Sequence, residues 1–257
     1  MTVDVTGTAT LTDSQIFTGP GANFSFSGSG GAVSITANDG LAMTNTTIDT
    51  DTFFAGADAG PVTLTSQNGP ISLTDSSIFT SATAPGNGGA VTIAGKDVTF
   101  TRSRIDASVD TGFLDFTIDD PALGLVHPGD VTVTAENAVT ITGQAPSTVG
   151  INTSARGTFL DAGPVTITGK TVNLSNGTIN ASMTEGQIPS PGNGGTIQIL
   201  GNNVNLSQFT LTSDNAGLTG STGKGGNILL GGANNTLADN IQLTNSHRIR
   251  PSHWRSG

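Results

Sequence analysis

A recurring segment of alternating apolar residues constrains the fold of this chain more than any other feature. In its clearest copy, residues 85–108, a glycine-rich start is followed by three short alternations: Val91 with Ile93, Val98 with Phe100, and Ile105 with Ala107. The same opening letters, PGNGG, return at Pro191, and the middle of the segment recurs at residues 168–182. A chain that repeats one short unit builds an elongated array in which each unit packs against its neighbours.

The first apolar residue after each glycine-rich segment marks the start of one unit. These residues recur at roughly 30- to 40-residue intervals, the range of solenoid and propeller repeats: they are Val33, Val62, Val91, Val131, Val165, Ile197 and Ile228. Each unit supplies three short strands, too few for a four-stranded propeller blade. Period-2 alternation directs Val, Ile and Leu inward and Thr, Ser and Asn outward. The sequence therefore predicts an all-β fold, a right-handed parallel β-helix (solenoid) of about seven to eight three-stranded rungs.

The repeats divide the chain into one shaft and one tail. We expect a single β-helical shaft over residues 1–245, on the order of 35 Å long if its rungs stack at the usual strand spacing. Residues 246–257 break the alternation and contain Trp254, the only tryptophan, so we expect them to form an irregular tail.

One connection between units is much longer than the others. We predict that residues 109–129 form a long loop insertion, and long loops on one edge of a solenoid often carry binding specificity. Phe113, Phe116 and Leu125 have no evident core position, and we expect them to pack on the flank of the shaft. The alternative is that they form an exposed contact patch.

Composition restricts the partners. The formal net charge is -10, and no cationic cluster lies in the repeats, so we expect no nucleic-acid partner. The chain has no cysteine and therefore no disulfide. Met1 opens directly into alternating sequence, so we expect any export signal to lie outside these residues. No run approaches about 18 apolar residues, and we expect no membrane insertion.

The repeat also resembles a known family. GNGGAVTI, then a short V-x-F/L-T strand, then S/T-x-I-x-A-S, is similar to the passenger repeats of filamentous-haemagglutinin-like bacterial exoproteins, which are secreted by the two-partner route. The resemblance covers roughly residues 30–230. It implies a β-helical shaft that an outer-membrane transporter exports to the bacterial cell surface. It further implies adhesion to host or surface glycans or proteins, or self-association through the shaft and its edge loops.

A group of carboxylates lies in and around the insertion. Ca²⁺ prefers several oxygen ligands on a flexible loop, but the spacing matches neither the EF-hand nor the glycine–aspartate nonapeptide. We interpret the group as a solvated acidic loop and assign no metal and no cofactor. Its members are Asp106, Asp110, Asp115, Asp119, Asp120 and Asp130.

Glycoside hydrolysis is an alternative, because such hydrolases pair a protonated with an ionised carboxylate. The candidate set is Asp119 and Asp120 with His127 and Arg156. The aspartate pair lies in a loop beside Pro121, however, and the NTD, GHG and RIK segments of polygalacturonase-like enzymes are missing. We therefore expect no enzymatic activity and expect His127 to be a solvated loop histidine. A β-helical polysaccharide lyase or hydrolase stays as the alternative.

Outward-facing threonines give a second alternative, a face that binds ice or glycans. Ala94, Gln198 and Leu200 interrupt the ladder, so we expect its residues to support the strands instead. The ladder consists of Ser34, Thr36, Thr63, Thr65, Thr92, Thr132, Thr134, Thr166 and Thr168.

The leading hypothesis is a structural and adhesive segment of a secreted bacterial cell-surface protein, without catalysis. Neither terminal rung has a polar cap, and uncapped rungs expose strand edges that can pair. We therefore expect this chain to associate with other copies of itself.

Overall fold

The computed structural model describes residues 1–19, 28–53, 57–83, 86–111, 126–143, 150–157, 160–185, 192–216, 222–232 and 236–249. Within these residues the regular elements are β-strands, and they form three parallel sheets. Successive rungs stack in chain order, so each strand pairs with the corresponding strand of the next rung.

The first sheet receives the first two strands of every rung and contains 14 strands. These are β1 (Thr2–Val5), β2 (Thr8–Thr12), β4 (Val33–Ala37), β5 (Gly40–Thr44), β7 (Val62–Ser66), β8 (Ile71–Thr74), β10 (Val91–Thr101), β13 (Val131–Thr142), β16 (Val165–Thr168), β17 (Thr171–Ser175), β20 (Ile197–Leu200), β21 (Asn203–Ser207), β24 (Ile228–Gly231) and β25 (Asn240–Thr244). In the fourth and fifth rungs the two strands merge into the single long strands β10 and β13.

The second sheet contains the third strand of each rung and has eight strands. These are β3 (Gln15–Phe17), β6 (Thr47–Asp49), β9 (Ser77–Phe79), β11 (Arg104–Asp106), β14 (Gly150–Asn152), β18 (Thr178–Asn180), β22 (Thr210–Thr212) and β26 (His247–Ile249). The count and the stacking order confirm the predicted parallel β-helix of about seven to eight rungs. Its right-handed winding stays a prediction.

A third, smaller sheet adds a short fourth strand to the fourth through seventh rungs. Its members are β12 (Val109–Asp110), β15 (Ala155–Gly157), β19 (Met183–Glu185) and β23 (Asn215–Ala216). Val109 is 1% exposed and packs in a small second core with Ala155 and Met183. The predicted insertion at residues 109–129 therefore begins with a buried strand. Residues 112–125, with Phe113, Phe116 and Leu125, lie outside the described residues.

A strand lies within the residues predicted as the tail. Strand β26 pairs in parallel with β22, so the last rung extends past residue 245 into the predicted tail. The sequence pattern does not predict β26, because a strand of three residues is too short to show a clear apolar alternation. Trp254 lies outside the described residues.

One hydrophobic core runs through the rungs and explains why the stack holds together. The first inward residue of each unit lies directly above that of the unit before, as Val91 does between Val62 and Val131. From the second to the seventh rung these side chains are almost completely buried, and in the eighth rung Ile228 is partly buried. Because a single rung cannot bury its apolar side chains alone, each rung depends on its neighbours for its core.

Each rung from the first to the seventh is closed by one backbone hydrogen bond, here called the rung-closing bond. In it, a corner glycine that precedes the next rung donates its N–H to the carbonyl of the residue that follows the third strand. The pairs are Gly31–Thr18, Gly60–Thr50, Gly89–Thr80, Gly129–Ala107, Gly163–Thr153, Gly195–Ala181 and Gly226–Ser213.

A buried threonine hydroxyl reinforces several of these bonds in the opposite direction. Thr80 Oγ1 donates to the carbonyl of Gly89 at 2.6 Å, while the Gly89 N–H donates to the Thr80 carbonyl at 2.7 Å. The same reciprocal pair joins Thr153 with Gly163, Thr50 with Gly60 and Thr18 with Gly31. The hydroxyl thus supplies a hydrogen-bond donor to a buried backbone carbonyl.

At six of the seven corners, all except Gly31, the residue must be glycine because the rungs approach each other there. A Cβ atom on Gly89 would overlap the carbonyl oxygen of Gly60, and one on Gly129 would overlap that of Gly89. The sequence feature that precedes each unit is therefore a steric requirement of stacking.

We expect Gly89→Ala to lower the free energy of unfolding by about 2 kcal/mol or more, since the added methyl group must displace backbone of the neighbouring rung. Chemical denaturation followed by circular dichroism measures the change. Gly7→Ala is the matched control, because its Cβ would have nothing within 4 Å. Equal losses in the two variants would contradict the steric explanation.

We expect Thr80→Val to cost about 1–3 kcal/mol, because it keeps the side-chain shape and removes the donor to a buried carbonyl. Thr63→Val, a half-exposed position on the outer face of the first sheet, should change stability by less than about 0.5 kcal/mol. A Thr80→Val protein as stable as the native one would show that the hydroxyl is dispensable.

Candidate functional site

The described residues bring three carboxylates together at the turn that follows the second sheet. Asp49 ends β6, Asp51 follows two residues later, and Asp106 ends β11. We call these three residues the acidic turn. Since paired carboxylates can carry acid–base chemistry, the acidic turn is a candidate catalytic site.

Asp106 is held by a dense set of hydrogen bonds and is only 7% exposed. Its Oδ1 accepts from Ser108 Oγ at 2.6 Å, from the Ser108 N–H at 3.2 Å and from Asn152 Nδ2 at 3.1 Å. Its Oδ2 forms an ion pair with Arg104, whose guanidinium also lies 5.6 Å from the ring centre of Phe79. Both oxygens of Asp106 are therefore occupied by the protein itself.

The bonds of Asp106 belong to a ladder that continues along the shaft. Asn180 Nδ2 donates to Asn152 Oδ1 at 3.2 Å, and Asn152 in turn donates to Asp106. In each of these three residues the side-chain oxygen also accepts the backbone N–H two residues later, which forms an Asx turn. The ladder thus shapes the turn at the edge of the second sheet.

Asp51 lies in a different environment from Asp106, and this environment disfavours its charged form. It is 9% exposed, and its Oδ1 accepts the Ser81 N–H at 2.5 Å. The pKa of Asp51 is raised to about 6, chiefly by burial and also by the charges of Asp49 and Asp106, while the hydrogen bonds from Ser81 oppose the shift. The next three rungs place Ser81, Ser108 and Ser154 at the same point after the third strand.

This arrangement combines a raised carboxyl pKa with neighbouring carboxylates, as a glycoside hydrolase would require. A substrate must nevertheless reach both groups, and the side chains of Asp51 and Asp106 are almost completely buried. Asp106 also has no free oxygen for a reacting group. The acidic turn is therefore best explained as a structural ladder that contains one unfavourably placed carboxylate.

The carboxylates predicted as a possible calcium group are not assembled where the structure describes them. Asp106 belongs to the acidic turn, Asp110 forms an ion pair with Arg156 at 3.3 Å, and Asp130 is exposed just before β13. Asp115, Asp119 and Asp120 lie outside the described residues. Among the described residues, no group of three or more His, Cys, Asp or Glu side chains could hold a metal ion.

The predicted hydrolase set is only half described. His127 is exposed in the corner before β13, where its backbone N–H donates to Asn87 Oδ1 at 2.9 Å. Arg156 lies in β15 and forms an ion pair with Asp110 of the adjacent rung. The His127 backbone and the Arg156 side chain thus take part in separate local contacts, and Asp119 and Asp120 lie outside the described residues.

The predicted threonine ladder forms in the first strands and is interrupted as expected. Thr63, Thr92, Thr132 and Thr166 are successive neighbours, and Gln198 then takes the next place. The neighbouring column is broken at Ala94 and Leu200.

Sequence reasoning missed a more regular column in the second strands, here called the hydroxyl column. It runs without interruption through all eight rungs, and its side chains are half-exposed or exposed. The signal was present in the sequence, because a Thr or Ser follows the second inward residue of every second strand. The members are Thr12, Thr44, Thr74, Thr101, Thr142, Ser175, Ser207 and Thr244.

Comparisons with protein-family models, with curated proteins and with solved structures found no match. The fold therefore rests on the sheet topology, and no family is assigned. In the parts of the chain that the structure describes, no helix is long and apolar enough to cross a membrane.

We expect Asp51→Asn to raise the melting temperature above pH 6 and to have little effect near pH 4. Burial raises the folded-state pKa of Asp51 above its ordinary value, so the folded protein binds this proton more tightly than the unfolded chain. The associated stability is present at low pH and is lost as the pH rises from about 4 to about 6.

Thermal melts of both proteins across this range measure the effect, with the exposed carboxylate variant Asp130→Asn as the control. A stabilisation by Asp51→Asn that is the same at pH 4 and at pH 7.5 would contradict the assignment to Asp51.

Proposed function

We propose that this chain is a structural and adhesive segment of a secreted bacterial cell-surface protein, and that it works without catalysis. The observation that supports the proposal best is the continuous stack of eight rungs with a shared core. Such a stack is a stiff shaft, because bending it would break backbone pairing between rungs. A protein that attaches to a partner at a distance from the cell surface needs such a stiff shaft.

The edge of the shaft supports the adhesive part of the proposal. The connection between the last strand of a rung and the next corner glycine varies in length, and the residues that flank this connection stack in columns. The flanking residues therefore lie along one side of the shaft, which is where solenoids often carry binding specificity. Host or surface glycans and proteins are the proposed partners.

The secreted, cell-surface location and the outer-membrane transporter are proposed from the resemblance of the repeats to filamentous-haemagglutinin-like exoproteins. The sequence patterns that carry this resemblance are the glycine-rich corners and the short alternating strands. Both have structural roles here, in stacking and in the core. The resemblance therefore supports a shaft more directly than it supports a particular partner.

The hydroxyl column favours a second candidate function, binding of an uncharged polysaccharide along the outer face of the first sheet. Its eight positions carry no charge although the chain has a net charge of -10. Neighbouring strands lie about 4.8 Å apart, so the column presents hydroxyl groups at regular intervals to a long polymer.

The test of the leading proposal uses beads coated with the protein. We expect the beads to be retained on cells or on immobilised polysaccharides, with no release of reducing ends or unsaturated products from the same polysaccharides. Beads coated with an acidic globular protein of similar charge are the control. Retention no better than this control would refute the adhesive role, and polysaccharide cleavage would favour the alternative β-helical enzyme.

Two double variants test the second candidate function. Replacing Thr74 and Thr101 with valine removes two adjacent hydroxyls of the column and keeps β-branched side chains on the strands. Replacing Thr63 and Thr92 with valine makes the same change in the first strands. If the hydroxyl column binds neutral polysaccharide, retention on it falls only for the first variant.

A further inference from the structure

We propose that two copies of this chain bind head to tail, with β1 and β2 of one copy extending the sheet at β24 and β25 of the other. This inference specifies the self-association that the proposed function includes, and it rests on that function for its role. Its geometry rests on the first and eighth rungs alone.

The eighth rung presents core positions that have no rung beyond them among the described residues. Ile241 is 43% exposed and Leu243 is 56% exposed. Their register partners in β21, Val204 and Leu206, are 0% and 3% exposed. The difference shows what one further rung would bury.

The first rung presents the complementary surface. Val3, Val5 and Leu11 pack on the core on one side and are only partly buried. Their neighbours in the second rung, Ile35 and Met43, are 1% and 0% exposed. The first rung thus lacks the contact that each internal rung receives from the rung before it.

The strands of the two surfaces match in length and order. β1 and β24 have four residues each, and β2 and β25 have five residues each. In a head-to-tail contact both pairs can therefore align in parallel, as all rungs within the chain do. A contact between two eighth rungs would reverse one set of strands and lose this parallel register.

The outer columns also continue across such a contact. Thr244 would lie beside Thr12 and extend the hydroxyl column, and Asn245 would lie beside Asp13. Asn45 already donates to Asp13 Oδ1 at 2.7 Å within the chain, so the same pairing chemistry is available to Asn245. Asn245 and Asp13 also share the left-handed backbone conformation, with φ of 47° and 48°.

The contact is assigned to the first two strands of each rung and not to the third. Arg248 takes the register position of Leu211, a place occupied by isoleucine or leucine in the other rungs. A charged residue in this column opposes the addition of a further strand. The contact joins two different surfaces, so it does not close on itself and can propagate into a filament.

The test measures sedimentation velocity of the 257-residue chain over a broad concentration series. We expect the average mass of the native chain to rise with concentration. Leu243→Lys should weaken association by about tenfold or more, since it places a charge in the buried position. Leu229→Lys changes a leucine that is 48% exposed on the outer face of the same rung and should have no such effect.

The polarity of the contact is tested by mixing two variants that each block one surface. Leu11→Lys blocks the first rung and Leu243→Lys blocks the eighth, with Thr10→Lys as the outward control on β2. At a concentration just sufficient for the native chain to associate, each variant alone should stay monomeric, and their mixture should form dimers and nothing larger. Circular dichroism confirms that each variant keeps its β-structure.

Three results would overturn the inference: a native chain that is monomeric at every concentration, association of Leu11→Lys alone, or equal effects of Leu243→Lys and Leu229→Lys. The bead assay keeps this inference apart from the proposed function. Monomeric chains that still adhere would refute only the stacking, and stacked chains that do not adhere would refute only the adhesion.

Discussion

The rung-closing bond is the interaction on which the rest of the structure depends. It fixes the distance between the end of the third strand and the start of the next rung, whether the intervening connection is short, as from Thr80 to Gly89, or long, as from Ala107 to Gly129. Loop length adds only slowly to the entropic cost of closure, so the bond tolerates large insertions. The rungs can therefore stay in register while the edge of the shaft varies.

Because the rungs stack in register, equivalent side chains form columns. Each column is stabilised by side chains of a particular chemistry. The ladder of Asp106, Asn152 and Asn180 works because amide donors alternate with oxygen acceptors along it. Asp51 is unfavourable because a carboxylate is buried beside Asp49 and Asp106, in a column where the next rung has Ser81. A pKa shift in a repeat protein is thus informative as a departure from its column, and it need not indicate catalysis.

The sequence allowed the strands, the glycine corners and the core to be predicted because period-2 alternation and steric exclusion are local properties. The fourth strand could not be predicted in this way, since each copy has a single inward residue, such as Val109 or Met183, and no alternation. The acidic turn was missed for another reason: Asp51 and Asp106 are distant in sequence, and stacking brings them close enough for the charge of Asp106 to raise the pKa of Asp51. The hydroxyl column could have been found by aligning the residue after each second strand.

The repetition that makes this fold predictable also determines how its ends interact. Because every rung binds the next through the same strands, the surface above any rung is complementary to the surface below any other. Specificity must then come from positions that break a column, and Arg248 is such a position, opposite the leucine of β22. A solenoid can therefore regulate its own assembly with one or two substitutions in its first and last rungs, without changing the rungs between them.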